Sequence, residues 1–173
     1  MKIELCSVKL EQKEILRNLL EKYDYEFSQW DLRDVDEKGL YGYAYLDCYW
    51  TEPNRWAYFI RANEKLAGFA MVNDYPETGV KTDFCLSEFF VMHKYRRLGV
   101  GREAAVRVFN LHRGTWQLKR HPHNIASVHF WNRVVAEYTG GDYRLIEAYP
   151  SPEVNYDDGT PADVFFFDNT TRS

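Results

Sequence analysis

The most constraining feature of the sequence is residues 88–103, EFFVMHKYRRLGVGRE, in which an apolar run leads into a glycine-containing turn. From residue 100 to 111 apolar positions recur at three- and four-residue spacing, which predicts an amphipathic helix. A strand, a glycine turn and a helix in this order leave backbone N–H groups free at the helix start. The segment also carries four basic residues: Lys94, Arg96, Arg97 and Arg102. The pattern favours a phosphate-binding site over a tight turn with a solvated basic face.

The glycine turn matches neither of two common nucleotide-binding motifs. It lacks the GKS or GKT ending of a P-loop, and Gly99 and Gly101 do not form a GxGxxG pattern. The segment therefore calls for a different phosphate-binding motif.

Periodicity predicts the other elements and places them in a single domain covering residues 1–173. The predicted strands are residues 2–8, 56–61, 65–73, 84–92, 116–120, 143–149 and 163–169. The predicted helices cover residues 11–23, the segment after Gly99 and the segment after Asn124, a good N-cap residue. Residues 28–53 fit helix, loop or both. Strands interleaved with helices predict an α/β (α+β) fold, a mixed sheet with helices on both faces.

Composition excludes several classes of protein. The formal net charge of -4 argues against a protein that coats nucleic acid, because phosphate binding needs a net basic face. No apolar run reaches the roughly 18 residues of a membrane span, so we expect no membrane partner and a cytoplasmic location. Cys6, Cys48 and Cys85 form no CxxC pair and are expected to be reduced thiols. His121 and His123 lack further ligands at suitable spacing, so no metal is expected.

Within the turn, RRLGVG resembles the RxxGxG signature of the GCN5-related N-acetyltransferase (GNAT) superfamily, with Arg96, Gly99 and Gly101 at the signature positions. The surrounding segment is similar to the strand, turn and helix of polyamine acetyltransferases in that superfamily. Downstream, NIASVHFW resembles its second signature, at Asn124, Ser127, Phe130 and Trp131. The order of elements also agrees, so the resemblance covers essentially the whole chain. The FW pair and the following EYTGG are most similar to a bacterial-type branch of predicted acetyltransferases.

The resemblance implies a twisted, mostly antiparallel sheet of six or seven strands with about four helices, splayed at a cleft for acetyl-coenzyme A (acetyl-CoA). It implies that the backbone of three residues pairs with the pantetheine arm: Phe90, Val91 and Met92. It implies that the turn binds the pyrophosphate through its amides: Arg96, Arg97, Leu98, Gly99, Val100, Gly101 and Arg102. The other side of the cofactor is then lined by Asn124, Ser127 and Trp131.

The implied activity is transfer of acetyl from acetyl-CoA to a primary amine by direct attack in a ternary complex. An alkylammonium acceptor resembles Lys, with a pKa of about 10.4, so making the free amine at pH 7 costs about 4.6 kcal/mol. Glu88 is the first candidate for the base, with a salt bridge or a rim position as the alternative. Asp83 and Glu52 are weaker candidates. The expected oxyanion donor is the backbone N–H of Val91 or Met92.

The sequence departs from the family at the usual general acid. Many members carry a tyrosine where this chain has Trp131, and an indole N–H does not serve as that acid. Tyr138, His129 or a water molecule are the candidate replacements, and Trp131 is expected to pack beside the cofactor. The departure keeps an alternative open, a coenzyme A-binding module that has lost transfer and acts as a sensor or interaction domain. A nucleotide-binding domain outside the family is a third hypothesis, and it predicts a preference for ATP or NAD.

The family's acceptor pocket is usually walled by the segment after the first helix, here residues 23–52. Tyrosine faces with Asp47 and Glu52 suit a cationic amine through cation–π and ionic attraction. The alternative is a solvated acidic surface beside a half-buried strand of alternating tyrosines: Tyr41, Tyr43 and Tyr45. The expected partners are a small-molecule or peptide amine and, because relatives are often dimers, a second copy of the chain.

Overall fold

Seven strands and four α-helices make up the computed structural model, which describes residues 1–172. The strands are β1 (Ile3–Ser7), β2 (Arg55–Ala62), β3 (Lys65–Asn73), β4 (Phe84–Val91), β5 (Thr115–Arg120), β6 (Tyr143–Ile146) and β7 (Asp163–Asp168). The helices are α1 (Lys13–Asp31), α2 (Cys48–Thr51), α3 (Val100–Leu111) and α4 (Ile125–Thr139). The strands form one sheet in the order β1–β2–β3–β4–β5–β7–β6, in which β4 and β5 are parallel and the other pairs antiparallel. The predicted fold class is confirmed.

Alternation along the central strands divides the core between two faces of the sheet. On β3, Ala70 and Val72 pack in the cluster that contains residues of α3 and α4, whereas Phe69 and Met71 pack in the cluster of α1 and α2. Because both faces of β3 are covered, its sequence is a nearly continuous apolar run and does not alternate with polar residues.

The β2–β3 hairpin turns through two residues. Asn63 and Glu64 both have left-handed backbone conformations, with φ of 46° and 66°. Two successive positive φ values are those of a type I′ turn, whose twist matches that of the flanking strands. The predicted turn at residues 62–64 is thus one residue too long, because Ala62 pairs with Lys65 as part of the strands.

Strand β4 separates from β5 soon after the two strands meet. The paired positions are Phe84 with Trp116 and Cys85 with Gln117. β4 then continues to Val91 with no strand paired to it on that side within residues 1–172. The sheet therefore splays open along the second half of β4, beside α3 and α4.

A β-bulge lies at the start of this open edge. Met71 of β3 pairs with Glu88, whereas Val72 pairs with Leu86, so Ser87 is an extra residue in β4. A bulge bends its strand and increases the local twist, and bulges are frequent beside functional sites. Here it redirects the strand just after Cys85, the last residue of β4 that pairs with β5.

The segment that periodicity left unassigned contains both helix and loop. α1 continues past its predicted end at Tyr23 because its buried stripe runs on through Asp24 and Asp31, which an apolar pattern does not detect. The alternating tyrosines of residues 41–45 lie in a loop and turn, so the alternative of a strand there is wrong. The last part of the segment forms the short α2.

Two further features complete the fold. The strand predicted at residues 143–149 ends at Ile146, and Ala148 takes a left-handed conformation, with φ of 48°. Among the helices of residues 1–172, none has both the length and the apolar character needed to span a bilayer.

Candidate active site

The turn between β4 and α3 presents a run of backbone amides that have no acceptor. On one side of the run the N–H of Arg96 donates to the carbonyl of His93 (3.2 Å), and on the other the N–H of Glu103 donates to the carbonyl of Gly99 (3.0 Å). Between them, the amides from Arg97 to Arg102 donate no hydrogen bond within residues 1–172. Successive N–H groups at a helix start bind anions well.

Two left-handed residues give this turn its shape. Arg97 has φ of 61°, and Gly99, the N-cap residue of α3, has φ of 81°. Left-handed residues that alternate with ordinary ones curl successive N–H groups toward one side, which is the geometry of an anion-binding nest. The turn therefore fits a pyrophosphate through its main chain.

The basic side chains of the turn are not all directed at this nest. Nε of Arg96 donates to the carbonyl of Val91 (2.6 Å), and its two terminal nitrogens donate to the carboxylate of Glu26 (2.6 and 2.7 Å). Arg102 donates to Glu137 at 2.6 Å. The sequence predicted that guanidinium groups converge on the anion, but every guanidinium nitrogen of Arg96 already has another acceptor.

The open edge of β4 presents alternate residues rather than consecutive ones. The N–H of Met92 donates to the carbonyl of Ala67 (2.9 Å), so the amide of Met92 faces β3. Backbone groups alternate between the two edges of an antiparallel strand, so Phe90 also faces β3, whereas Phe89 and Val91 face the open side. This corrects two expectations: three consecutive residues do not present their backbone to the pantetheine arm, and Met92 is not free to be the oxyanion donor. Phe89 was missed because the alternation was not applied.

The far side of the opening is formed by the start of α4. Asn124 caps this helix by accepting a hydrogen bond from the N–H of Ser127 (3.1 Å), as its sequence predicted. The rings of Phe130 and Phe89 are stacked with centroids 5.8 Å apart, and Trp131 meets Phe89 edge-on at 5.2 Å. Trp131 is buried in the core, where its ring packs between the sheet and α4.

Gly101 contacts this helix rather than open space. A Cβ added at Gly101 would lie 3.0 Å from Cε2 of Phe130 and 3.6 Å from Cγ2 of Val91. A side chain at this position therefore disturbs the packing of α3 on α4 as well as the turn. At Gly99 an added Cβ would meet nothing within 4 Å.

The side chain of Glu88 lies on the face of β4 that is directed toward α1, opposite the face that carries Phe89. The hydroxyl of Tyr43 donates to its Oε1 at 3.3 Å. Burial is the main cause that raises the pKa of Glu88 to about 7; the nearby carboxylates of Asp24 and Glu77 act in the same direction, and hydrogen bonds from Tyr23 and Tyr43 act against it. A carboxyl group with this pKa can exchange a proton near neutral pH.

Aromatic rings line the region around Glu88. Tyr23 and Phe27 of α1 lie 5.8 Å apart, and Phe27 lies 5.6 Å from Tyr156, which belongs to the loop between β6 and β7. Burial raises the pKa of Tyr43 and of Tyr156, and the charge of Glu88 raises both further. Both phenols therefore stay protonated. Sequence analysis expected the wall in residues 23–52 and missed Tyr156. The signal was the acidic, tyrosine-containing loop PSPEVNYDDGTPA.

Acidic groups reinforce this aromatic wall. Arg33 donates to Asp24 (2.9 Å) and to Asp31 (2.7 Å), both buried on α1. Oδ2 of Asp24 is nevertheless a buried oxygen with no hydrogen-bond partner within residues 1–172. Burial raises the pKa of Asp24 although Arg33 lowers it. The wall thus has a negative potential that one guanidinium does not balance.

Tyr138, a predicted general acid, lies in a different part of the molecule. Its hydroxyl donates to Asn110 (3.0 Å) and accepts from Asn169 (3.0 Å), and its ring packs on Phe109 and Phe167. No hydrogen bond among residues 1–172 joins it to the group around Glu88. His129 is exposed on α4.

The weaker base candidates are also engaged elsewhere. Asp83 accepts from the N–H and the hydroxyl of Thr115 (2.8 and 2.9 Å). Glu52 accepts from Arg55 (2.8 Å) and from Tyr75 (3.1 Å). Neither carboxylate joins the group around Glu88, and Asp47 pairs with Lys13 at 2.8 Å.

The two histidines singled out in the sequence meet an aspartate. Ligand atoms of His121, His123 and Asp158 lie within 4.8 Å of one another. Nε2 of His121 lies 3.3 Å from Oδ2 of Asp158, and its Nδ1 accepts from the backbone N–H of His123 (3.2 Å). Nδ1 therefore carries no proton, and Nε2–H donates to Asp158. Burial lowers the pKa of His121, consistent with this neutral form.

Comparison with protein families gives one domain. The model of the "Acetyltransferase (GNAT) family" matches residues 14–135, which include the open edge of β4, the amide turn and most of α4. No curated protein sequence matches the chain significantly.

Solved structures share the fold at low sequence identity. The PaiA N-acetyltransferase of Thermoplasma acidophilum, in complex with coenzyme A, is 11% identical, with a TM-score of 0.63 over 97% of this chain and 99% of that one. An acetyltransferase from Thermus thermophilus is 15% identical, with a TM-score of 0.64 and 97% of both chains covered. The diaminobutyrate acetyltransferase EctA of Paenibacillus lautus, in complex with L-2,4-diaminobutyric acid and coenzyme A, is 15% identical, with a TM-score of 0.62 over 99% and 98%.

Proposed function

Because this chain belongs to the GNAT acetyltransferase family, we propose that it transfers the acetyl group of acetyl-CoA to a primary amine of a small cationic acceptor, by direct attack in a ternary complex. One observation carries the proposal: the unpaired edge of β4 leads into the free amides of residues 97–102, and the side chain of Glu88 lies on the same strand, on the face directed toward α1. Such an edge suits an extended, amide-containing arm that ends in a pyrophosphate.

The residues of this opening fit coenzyme A chiefly through main-chain groups. The amides from Arg97 to Arg102 would hold the pyrophosphate. On the open edge of β4, the backbone of Phe89 and the N–H of Val91 would face the pantetheine arm and its thioester, whereas the carbonyl of Val91 is already bonded to Arg96. When bound, the acetyl thioester supplies an activated acyl group with a thiolate leaving group.

Glu88 is the proposed base. Its side chain lies on the face of β4 that is directed toward α1. Burial raises its pKa to about 7, so a large fraction is ionised at neutral pH. An ionised carboxylate here attracts an ammonium group and accepts its proton, directly or through water. The raised pKa improves the match between base and amine, since deprotonating an alkylammonium at pH 7 costs about 4.6 kcal/mol.

The N–H of Val91 is the proposed oxyanion donor. It faces the open side of β4, whereas the N–H of Met92 is bonded to Ala67. A fixed backbone N–H stabilises a developing oxyanion without reorganisation.

No general acid is required by this proposal. A thiol has a pKa of about 8.5, so a thiolate leaves without full protonation. This agrees with the burial of Trp131 and with the hydroxyl of Tyr138, which is occupied by Asn110 and Asn169.

The proposed acceptor is a cationic aliphatic amine. Tyr23, Phe27, Tyr43 and Tyr156 surround the region of Glu88 with aromatic surface, and the buried carboxylates of α1 add negative potential. Aromatic faces and carboxylates together favour ammonium groups. Two neighbours in fold, EctA and a Vibrio cholerae spermidine N-acetyltransferase, carry diamine or polyamine ligands in their structures.

The test is release of free coenzyme A thiol from acetyl-CoA with a panel of amines: spermidine, putrescine, 2,4-diaminobutyrate, a neutral amine of matched length and a lysine peptide. We expect turnover above hydrolysis with di- or polyamines and at least tenfold lower kcat/KM for the neutral amine. Turnover only with the lysine peptide contradicts the small acceptor. Binding of coenzyme A without turnover for any amine contradicts the enzyme and supports the coenzyme A-binding module.

A further inference from the structure

The signature arginine makes contacts that the proposed reaction does not use. Arg96 holds the carbonyl of Val91 and both carboxylate oxygens of Glu26, and its guanidinium lies 5.6 Å from the ring centre of Phe90. We propose that the Arg96–Glu26 pair is a positioning device, in which Glu26 of the acceptor-wall helix α1 holds Arg96 and Arg96 fixes the orientation of the N–H of Val91. The inference rests on the proposed function, in which Val91 is the oxyanion donor.

The peptide that follows Val91 is held from both sides. Its N–H, that of Met92, donates to the carbonyl of Ala67 at 2.9 Å, and its carbonyl, that of Val91, accepts from Arg96 at 2.6 Å. β5 does not pair at this point, so Arg96 takes the place of the missing strand as a donor to the carbonyl of Val91. Because peptide groups are planar, fixing this plane limits the rotation that would redirect the neighbouring N–H of Val91.

Glu26 extends this contact to the acceptor wall. It lies on α1 between Tyr23 and Phe27, and its side chain is 22% exposed, against 34% for Arg96. The pair is bidentate, with both oxygens engaged, a geometry more directional than a single surface contact. The imidazole of His93 is the other cationic candidate beside Glu26, at 3.8 Å.

The position of Arg96 in the chain determines which elements the pair connects. The residue directly precedes the amides of residues 97–102, and its own N–H is bonded to His93. The side chain of Arg96 therefore contacts the end of the thioester-facing strand and the helix of the acceptor wall, and its backbone leads into the phosphate turn. The free amides belong to residues that Arg96 does not touch through its side chain, so loss of the pair affects Val91 more than the turn.

The test uses Glu26→Gln and Arg96→Lys in the full chain. For Glu26→Gln we expect kcat to fall by about 10- to 30-fold, less than loss of a whole oxyanion donor, with KM for acetyl-CoA changed less than about threefold. Arg96→Lys is expected to retain an intermediate kcat, since one ammonium group cannot hold the Val91 carbonyl and both Glu26 oxygens together. The matched control is Glu14→Gln, which breaks an exposed ion pair with Arg17 on the same helix (3.2 Å) and leaves kcat unchanged.

Two further measurements separate positioning from general damage to α1. The pH midpoint of kcat/KM should stay within about 0.3 units in Glu26→Gln, because the proposed loss is at Val91 and not at Glu88. General damage to α1 would instead move Tyr23 and Asp24 and change the pKa of Glu88. Amide hydrogen exchange of residues 88–96, without substrates, should become faster in Glu26→Gln and not in Glu14→Gln. Unchanged kcat in Glu26→Gln, or a shifted midpoint with unchanged exchange, overturns the proposal. A wild-type protein that releases no thiol with any amine contradicts the proposed function instead, and the exchange data then decide whether the pair fixes β4.

Discussion

The cofactor side and the acceptor side of β4 are built in different ways. The cofactor side comes from one continuous stretch, residues 89–102, and offers mainly backbone groups. The acceptor side combines side chains from α1, from the loop before α2, from β4 and from the β6–β7 loop. A backbone site depends on a few conformations and tolerates most side-chain changes, whereas a side-chain site changes with each residue. The cofactor can thus be common to many sequences while the acceptor differs.

The largest expected effect separates the two faces by chemistry. Glu88→Gln should lower kcat by about 100-fold or more, because a positioned base contributes roughly 10²–10⁴-fold, and should leave coenzyme A affinity within about twofold. Steady-state kinetics and calorimetric titration with coenzyme A measure the two quantities. A fall of less than tenfold removes Glu88 as the base.

The stability of this variant provides its folding control. The pKa of Glu88 is about 7 in the folded protein and 4.5 in its ordinary state, so the folded form binds the extra proton and loses stability as pH rises from about 4.5 to 7. Gln carries no such charge. The Tm of Glu88→Gln at pH 8 should therefore equal or exceed that of the wild type, and a lower Tm would assign the rate loss to misfolding.

A smaller effect should appear on the cofactor side alone. Gly99→Ala forces a side chain into a backbone with φ of 81°, at a cost of about 1–2 kcal/mol, and the turn relieves it by moving its amides. We expect coenzyme A affinity to fall by about five- to tenfold by calorimetry, with the pH midpoint unchanged. Gly141→Ala is the matched control, with φ of 86°, open space for a Cβ and a place after α4. Equal affinity in both variants would contradict the amide site.

The smallest effect tests the acceptor side by its proton affinity. Activity should fall as pH drops through about 7, where Glu88 gains a proton. Tyr43→Phe removes a hydrogen bond that stabilises the ionised carboxylate, so the midpoint of kcat/KM should rise, by less than about one unit. A midpoint that falls in Tyr43→Phe, or a wild-type profile without a midpoint between pH 6 and 8, would show that protonation of Glu88 does not control the pH dependence of kcat/KM.

Local patterns predicted most of the framework. The glycine turn, the cap at Asn124 and the β2–β3 hairpin depend on neighbours within a few residues, so the sequence indicated them directly. The length of α1 was underestimated because its inner face continues with aspartates, whose burial depends on Arg33. The loop tyrosines of residues 41–45 were ambiguous because alternation alone does not separate a strand from a loop held by tertiary contacts.

The candidate site was predicted in part. Glu88 was chosen from its place on β4, but its pKa depends on burial and on Tyr43, which is 45 residues away in sequence. Tyr156 and the partners of Arg96 were not found, because no spacing rule links them to the signature. Tyr138 was one of three candidate replacements for the general acid that spacing alone does not rank, and the structure places it among Asn110, Asn169 and the core rings.

By itself the sequence determined most of the elements, their order and the glycine turn after β4, since each depends on short-range backbone preferences and hydrophobic periodicity. Only the tertiary structure decided which edge of β4 stays open, which amides are free, which carboxylate is buried and where the guanidinium of Arg96 is directed. These properties depend on burial, dielectric environment and the competition of distant groups for the same hydrogen bonds, and they are fixed only when the chain has folded.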